Sequence, residues 1–289
     1  MRFDKQRSAR HDGAMRNDGE PEAHSALERR VRMRLLAERS GFVAVTDLAD
    51  HLGVSAVTVR SDLAVLASEG ALQRVRGGAI PTAVRSVERS LEEGLSAASD
   101  EKAAIGRAAA ASVTSGQSVI LDVGTTPLAI AHALVEREEL RDITVITNGL
   151  STAFALEPAI PRFSVIVTGG TLRPLQHSLV EPLASEMLER LRADVAFIGC
   201  TGVHSEAGVT NVNLPEAALK RRMLHAAARR IVVADSSKLG VVDLGRVAAA
   251  EEFDRLLTGA AAADEIVAGL EEAGLAVTRC SALRDRVSP

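Results

Sequence analysis

Between residues 118 and 234 the chain carries five short apolar runs, each stopping at a glycine or small polar residue. SVILDV at 118–123 runs into Gly124-Thr125-Thr126, and the run ending at Thr147 into Asn148-Gly149. The run ending at Thr168 meets Gly169-Gly170, VAFIGC at 195–200 meets Thr201-Gly202, and the run ending at Ala234 meets Asp235-Ser236-Ser237-Lys238. Helical patterns are expected at 102–113, 127–135, 150–156, 182–191 and 215–228, between these runs. Further strands near 256–258 and 275–278 flank a helix at 264–273. Continuous apolar strands alternating with helices require a mostly parallel sheet covered on both faces, an α/β fold. Such sheets bind ligands in the crevice beyond the carboxyl ends of their strands.

The residues at those ends suit a small anion. Gly124, Thr125 and Thr126 open a helix, so unpaired backbone N–H groups and the helix dipole face a ligand there. Asp122 can accept from a sugar hydroxyl, and Asn148, Gly169 and Gly170 line neighbouring ends. Lys102, Lys220 and Lys238 stand out in a chain whose cations are overwhelmingly Arg, and a lysine is a compact, mobile charge suited to phosphate. Glu216 and Lys220 are four apart on one helix, a spacing that equally suits a surface ion pair worth a few tenths of a kcal/mol, roughly. Cys200 ends an apolar run with no cation or His near it in sequence, which reads as an inert thiol. His177 and His204 are isolated, so neither a metal site nor a cofactor is expected.

Aromatic residues make up 2% of the chain, with no Trp or Tyr, which excludes recognition by stacking bases on aromatic platforms. The two cysteines are far apart and fit no disulfide framework. No apolar run approaches membrane length and the start of the chain lacks a signal-peptide pattern, so a cytoplasmic protein is expected, nucleoid-associated when bound to DNA. Residues 1–24, with five basic and five acidic side chains, read as a disordered tail.

Charge is divided unevenly. Residues 25–90 hold ten Arg and no Lys against seven acids, whereas residues 91–289 hold 19 basic and 26 acidic side chains. Within 25–80 a first helix at 27–39 should bury Val31, Leu35 and Leu36. Thr46 is the expected N-cap of a second helix at 47–52, and Ser55 that of a third running to about 69 and stopped by Gly70. In the third helix Val59, Leu63 and Leu66 share a face, leaving Thr58, Arg60 and Ser61 pointing away. This is the layout of a helix-turn-helix, whose second helix enters the major groove with its N-terminal residues first. An arginine there can bond guanine or grip a phosphate, and hydroxyls can do either more weakly. The alternation that follows reads as a wing with Gly77-Gly78 at its turn, carrying Arg74 and Arg76 towards the DNA backbone. Residues 81–100 read as a linker; a short helix around 87–95 would leave Glu88 and Arg89 in solvent.

The run DLADHLGVSAVTVRSDLAVLASEGALQRVRGGAIP resembles the winged helix-turn-helix of the DeoR family of bacterial transcription regulators. Ser55, Thr58, Val59, Arg60, Asp62 and Leu63 match the family's helix, and Arg74, Arg76, Gly77, Gly78 and Ala79 its wing. Ser61 departs from it, standing where a second Arg is frequent. The resemblance continues through EKxxIG at 101–106, DxGTT at 122–126, TN at 147–148, GG at 169–170, ExxxK at 216–220 and DSSK at 235–238. It implies a repressor with an effector domain (101–289) related to ribose-5-phosphate isomerase, released from a double-stranded DNA operator by a phosphorylated sugar. It further implies a dimer or tetramer, no membrane partner, and an anion site at Asp122–Thr126, Asn148, Lys220 and Lys238. Thr201 stands where relatives often carry a carboxylate, and Glu181 departs from their LVGP. The first loss weakens the alternative reading, an isomerase or deaminase with an appended DNA-binding module, because enolisation needs a placed base.

Overall fold

The computed structural model describes residues 26–68, 71–81 and 88–281. The expected tail at 1–24 and the stop at Gly70 lie outside the described residues.

The first unit contains helices α1 (Ala26–Ser40), α2 (Val45–Leu52) and α3 (Ala56–Ser68), with strands β1 (Val43–Ala44), β2 (Leu72–Val75) and β3 (Gly78–Pro81). The strands form a small antiparallel sheet in the order β1-β3-β2, turning at Gly77. Ser55 caps α3 as expected, its Oγ accepting from the Thr58 N–H at 3.1 Å. Thr46 does not cap α2: the helix starts one residue earlier at Val45, behind Ala44, and Thr46 lies inside it, donating to Asp47 Oδ1. The buried face of α1 also differs from the expected one. Met33 and Ala37 are wholly buried with Leu36 beside them, while Val31 and Leu35 are exposed. Arg29 supplies the reason. It stands one turn before Met33, and its Nε donates to the buried Asp62 of α3 at 2.6 Å, fixing the rotation of α1.

A short helix follows, α4 (Leu91–Ser96), begun by a capping box in which Ser90 and Glu93 satisfy each other's backbone N–H groups. The second unit then builds α5 (Ser99–Ala111), β4 (Ser118–Leu121), α6 (Thr125–Glu136), β5 (Ile143–Thr147), α7 (Leu150–Leu156) and β6 (Phe163–Val167). A hairpin, β7 (Thr171–Arg173) and β8 (Ser178–Val180), leads to α8 (Leu183–Leu188) and β9 (Ala193–Gly199). Next come β10 (Gly202–His204), β11 (Gly208–Asn211), α9 (Leu214–His225) and β12 (Ala227–Val233). The chain closes with β13 (Gly245–Ala248), β14 (Arg255–Gly259), α10 (Asp264–Glu272) and β15 (Val277–Cys280).

Seven strands form one wholly parallel sheet in the order β15-β14-β12-β9-β4-β5-β6. Both faces are buried, but by different clusters. Ile120, Ile146, Ala196, Ile198 and Val232 pack to one side, and Val119, Leu121, Val145, Phe197 and Val233 to the other. A period of two therefore persists inside runs that look uniformly apolar. A separate antiparallel sheet, β10-β11-β13, and the β7-β8 hairpin were not anticipated. No helix among the described residues is long and apolar enough to cross a membrane.

Candidate functional site

The chain enters the large sheet at β4, proceeds outward to β5 and β6, then returns to place β9 on the other side of β4. The strand order therefore reverses between β4 and β9, and a crevice opens beyond their carboxyl ends. Asp122 stands there. Its carboxylate is fully buried, and Oδ2 accepts from the Gly199 N–H at the end of β9 at 2.9 Å and from Lys220 Nζ of α9. One side chain thus joins both strands of the switch point to a helix 98 residues further on. Burial, the largest influence on both partners, pushes the Asp122 carboxyl up and pulls the Lys220 ammonium down. At Lys220 the Asp122 and Glu216 charges outweigh burial and hold the group above the ordinary lysine range.

The crevice contains acceptors and donors that the protein leaves unused. Asp122 Oδ1, Asn148 Oδ1 and Thr168 Oγ1 are buried without a hydrogen-bond partner among the described residues, at the ends of β4, β5 and β6. Such groups are rare because each costs about 1–3 kcal/mol of desolvation. The amide of Asn148 is already oriented, donating through Nδ2 to the Leu179 carbonyl of β8 at 3.2 Å. Gly124 adopts φ +121, a conformation closed to L side chains, and turns the chain from β4 straight into α6. The first N–H groups of α6, from Thr125 and Thr126, are thereby left without intrahelical acceptors. Lys238 is half-buried in a single helical turn after β12, its ammonium without a hydrogen-bond partner among the described residues. Asp235 holds that turn by accepting from the Ser237 N–H at 3.1 Å.

Other expected site residues are occupied. Lys102 is buried and donates to the carbonyls of Gly94 and Ala97, so it fastens α4; burial pulls its pKa down. Glu216 is buried and accepts from Ser178 Oγ at 2.7 Å, from Asn211 Nδ2 at 3.4 Å and from Arg173, so the surface-pair alternative does not hold. Gly170 has a backbone reason: φ is +135, and a methyl group there would lie 2.1 Å from the Val180 carbonyl across the hairpin. Gly169 packs against Leu183. Thr201 accepts from the Val212 N–H at 2.9 Å. Burial raises the Cys200 thiol to about 12. His177 bonds Ser151 through Nδ1 at 2.8 Å, and His204 Nδ1 accepts from the Glu206 N–H. No group of His, Cys, Asp or Glu among the described residues could hold a metal ion.

Two residues escaped the sequence reading. Arg173 projects from the β7-β8 hairpin to Glu216 and, with its other terminal nitrogen, to Glu88 Oε2 at 2.8 Å. Glu88 is consequently paired and not solvated as expected. The sequence separation of 85 between these partners hides the contact from any local pattern.

The front of the first unit is arranged differently. Ser55, Arg60 and Ser61 are exposed and Thr58 is half-buried, all at the N-terminal end of α3. Val59, Asp62, Leu63 and Leu66 are buried behind them. Arg74 and Arg76 are exposed on the wing. The two units touch beside Lys238: a methyl group at Gly41, just after α1, would lie 3.2 Å from the Leu239 carbonyl and 3.7 Å from that of Ser236. A cleft of 460 Å³ nearby, between α2 and the start of α10, carries Asp47, Asp264 and Glu265 and so repels an anion.

Comparison with known proteins gives the following. Residues 29–83 match the DeoR-like helix-turn-helix domain and residues 97–260 the DeoR C terminal sensor domain. The HTH-type transcriptional regulator GlpR of Haloferax volcanii is 35% identical over 252 residues, 86% of this chain and 96% of that protein. The glycerol-3-phosphate regulon repressor of Escherichia coli is 30% identical over 216 residues, 73% of this chain and 83% of its own. Among solved structures, ribose 5-phosphate isomerase A of Methanocaldococcus jannaschii aligns with TM-score 0.35 and 18% identity, covering 47% of this chain and 52% of its own.

Proposed function

The chain belongs to the DeoR family of transcription regulators, and from that membership we propose that it is a repressor released from its operator by a phosphorylated sugar or a related small anion. It is a DNA-binding regulator and not an enzyme. In this reading α3 enters the major groove, with Thr58 and Arg60 at the base edges and Ser55 and Ser61 at the flanking phosphates. Arg74 and Arg76 follow the backbone from the wing. The effector's anionic group is held by Lys238 and the α6 N-terminus, while Asp122 Oδ1 and Asn148 Oδ1 receive its hydroxyls. Lys220 acts through Asp122, which it orients, and Glu216, Gly169 and Gly170 shape the wall.

The observation that supports this reading is the trio of buried oxygens without a hydrogen-bond partner among the described residues, at three successive strand ends of a sheet that also ends in the α6 N-terminus and, after β12, in Lys238. Two of those oxygens are acceptors only in their charged or amide form, so they call for hydroxyl donors, and the cation calls for an anion. A sugar phosphate supplies both. The contact of Gly41 with the turn bearing Lys238 supports communication between the units. We further propose a dimer or tetramer, because one small DNA-binding module gains affinity by engaging two half-sites together.

The test is a gel-shift titration with double-stranded DNA selected from a random library, repeated across a panel of phosphorylated sugars. At least one should weaken DNA binding fivefold or more and raise the melting temperature of the protein. A panel that leaves both readouts unmoved would sink the proposal.

A further inference from the structure

The segment at 88–97 lies beside the proposed effector crevice. A methyl group at Gly94 of α4 would come within 3.1 Å of Thr125 Cγ2, so α4 rests on the opening residue of α6. Lys102 ties α4 down through the carbonyls of Gly94 and of Ala97 just beyond it, Gln176 of the β7-β8 hairpin donates to the Arg89 carbonyl, and Glu92 lies 3.3 Å from His177 Nε2. Upstream of these ties, Glu88 places its carboxylate on Arg173.

Arg173 is thus shared between two carboxylates of unlike standing. Glu216 belongs to the wall: its side chain is 5% exposed and it also holds Ser178 and Asn211. Glu88 is 15% exposed and, among the described residues, its hydrogen bond comes from Arg173 alone. A guanidinium offers paired donors that fit a phosphate as well as a carboxylate. The outer face of Arg173 therefore already carries an anion, and that anion is part of the connection to the DNA-binding unit.

Resting on the reading of the crevice as the effector site, we propose that Arg173 is a ligand of the effector's phosphate and that Glu88 is its built-in competitor. Phosphate binding displaces Glu88 from Arg173 and lifts the segment at 88–97 off Thr125, and this is how occupancy reaches the DNA-binding unit. Coupling follows from competition: the crevice closed by Glu88 belongs to the operator-bound state, and the crevice filled by phosphate to the released one.

The experiment uses the full chain, with inorganic phosphate as probe in calorimetric titration and the selected DNA in gel shift. Glu88→Gln removes the competing charge, so phosphate should bind five- to tenfold tighter, and the DNA, without phosphate, five- to tenfold weaker. Arg173→Gln should bind phosphate at least tenfold more weakly; Arg173→Lys, which keeps a charge beside Glu216 if the first variant misfolds, should lose less. Saturating phosphate should speed hydrogen exchange at the Glu93 and Gly94 amides, both now bonded to Ser90. Wild-type phosphate affinity in Glu88→Gln, or unchanged exchange in α4, overturns the competition while leaving the crevice intact. Failure of phosphate to bind the wild-type chain, or undiminished binding by Lys238→Ala, overturns the crevice itself and this inference with it.

Discussion

Lys220, which acts through Asp122, shows why a residue can be indispensable to a site without touching its ligand. Their side chains are 4% and 0% exposed, so Asp122 without Lys220 would be a buried charge that has lost its cation. Breaking such a pair from one side costs about 3–5 kcal/mol, whereas replacing both partners by neutral groups of like volume is often nearly neutral. Lys220→Met should therefore lower the urea midpoint sharply, and Asp122→Asn/Lys220→Met should restore most of it. Equal loss in the single and double variants would show that the pair does not carry its own cost. Cys200 permits a second prediction. With its thiol pushed to about 12, the thiolate fraction at pH 8 is roughly one in ten thousand. Iodoacetamide should alkylate it in the native chain about a thousandfold more slowly than in urea, as peptide mass analysis of Cys200 would report.

The helices and strands that position the site were mostly legible, because the seven parallel strands are apolar on both faces and end on small polar residues. What escaped was short or distant. The hairpin strands at 171–173 and 178–180 have three residues each, too few to display a period. The rotation of α1 was misread because the helix carries two apolar stripes, and ion pairs to Asp62 from Arg29, 33 residues away, and from Arg30 favour the one observed. Asp122, Asn148 and Lys238 were singled out because strand ends are where such folds bind ligands, while Arg173 and Glu88 carry no local signature. The same logic makes α3 and the wing separable. Arg60→Ala should weaken binding to the selected DNA by about 1–3 kcal/mol, roughly ten- to a hundredfold, with no change in melting temperature because the side chain is exposed. Arg74→Ala and Arg76→Ala should instead each flatten the salt dependence of binding by about one unit of log–log slope. An Arg60 variant with wild-type affinity would remove α3 from the groove.

At the scale of the whole chain, the crevice and the groove-reading surface lie on different units; among the described residues Gly41 meets the Ser236–Leu239 turn, and the segment at 88–97 rests on Thr125. Coupling through such contacts is an equilibrium quantity, and it must run in both directions by the same factor. If a sugar phosphate weakens operator binding twentyfold, saturating operator must weaken binding of that sugar phosphate twentyfold, a coupling of about 1.8 kcal/mol. Lys238→Ala should leave operator affinity unchanged in the absence of effector and move the effector dose–response at least tenfold to the right. Lys238 stands on the turn that touches Gly41, so the variant also separates two roles. If it only helps to hold the anion, the effector at saturation still releases the DNA completely and the twentyfold factor survives. If it also transmits, the factor itself shrinks at saturation. An unchanged dose–response would exclude both roles and overturn the crevice as the effector's site, whereas unequal factors in the two directions would mean that effector and operator do not act on one shared equilibrium.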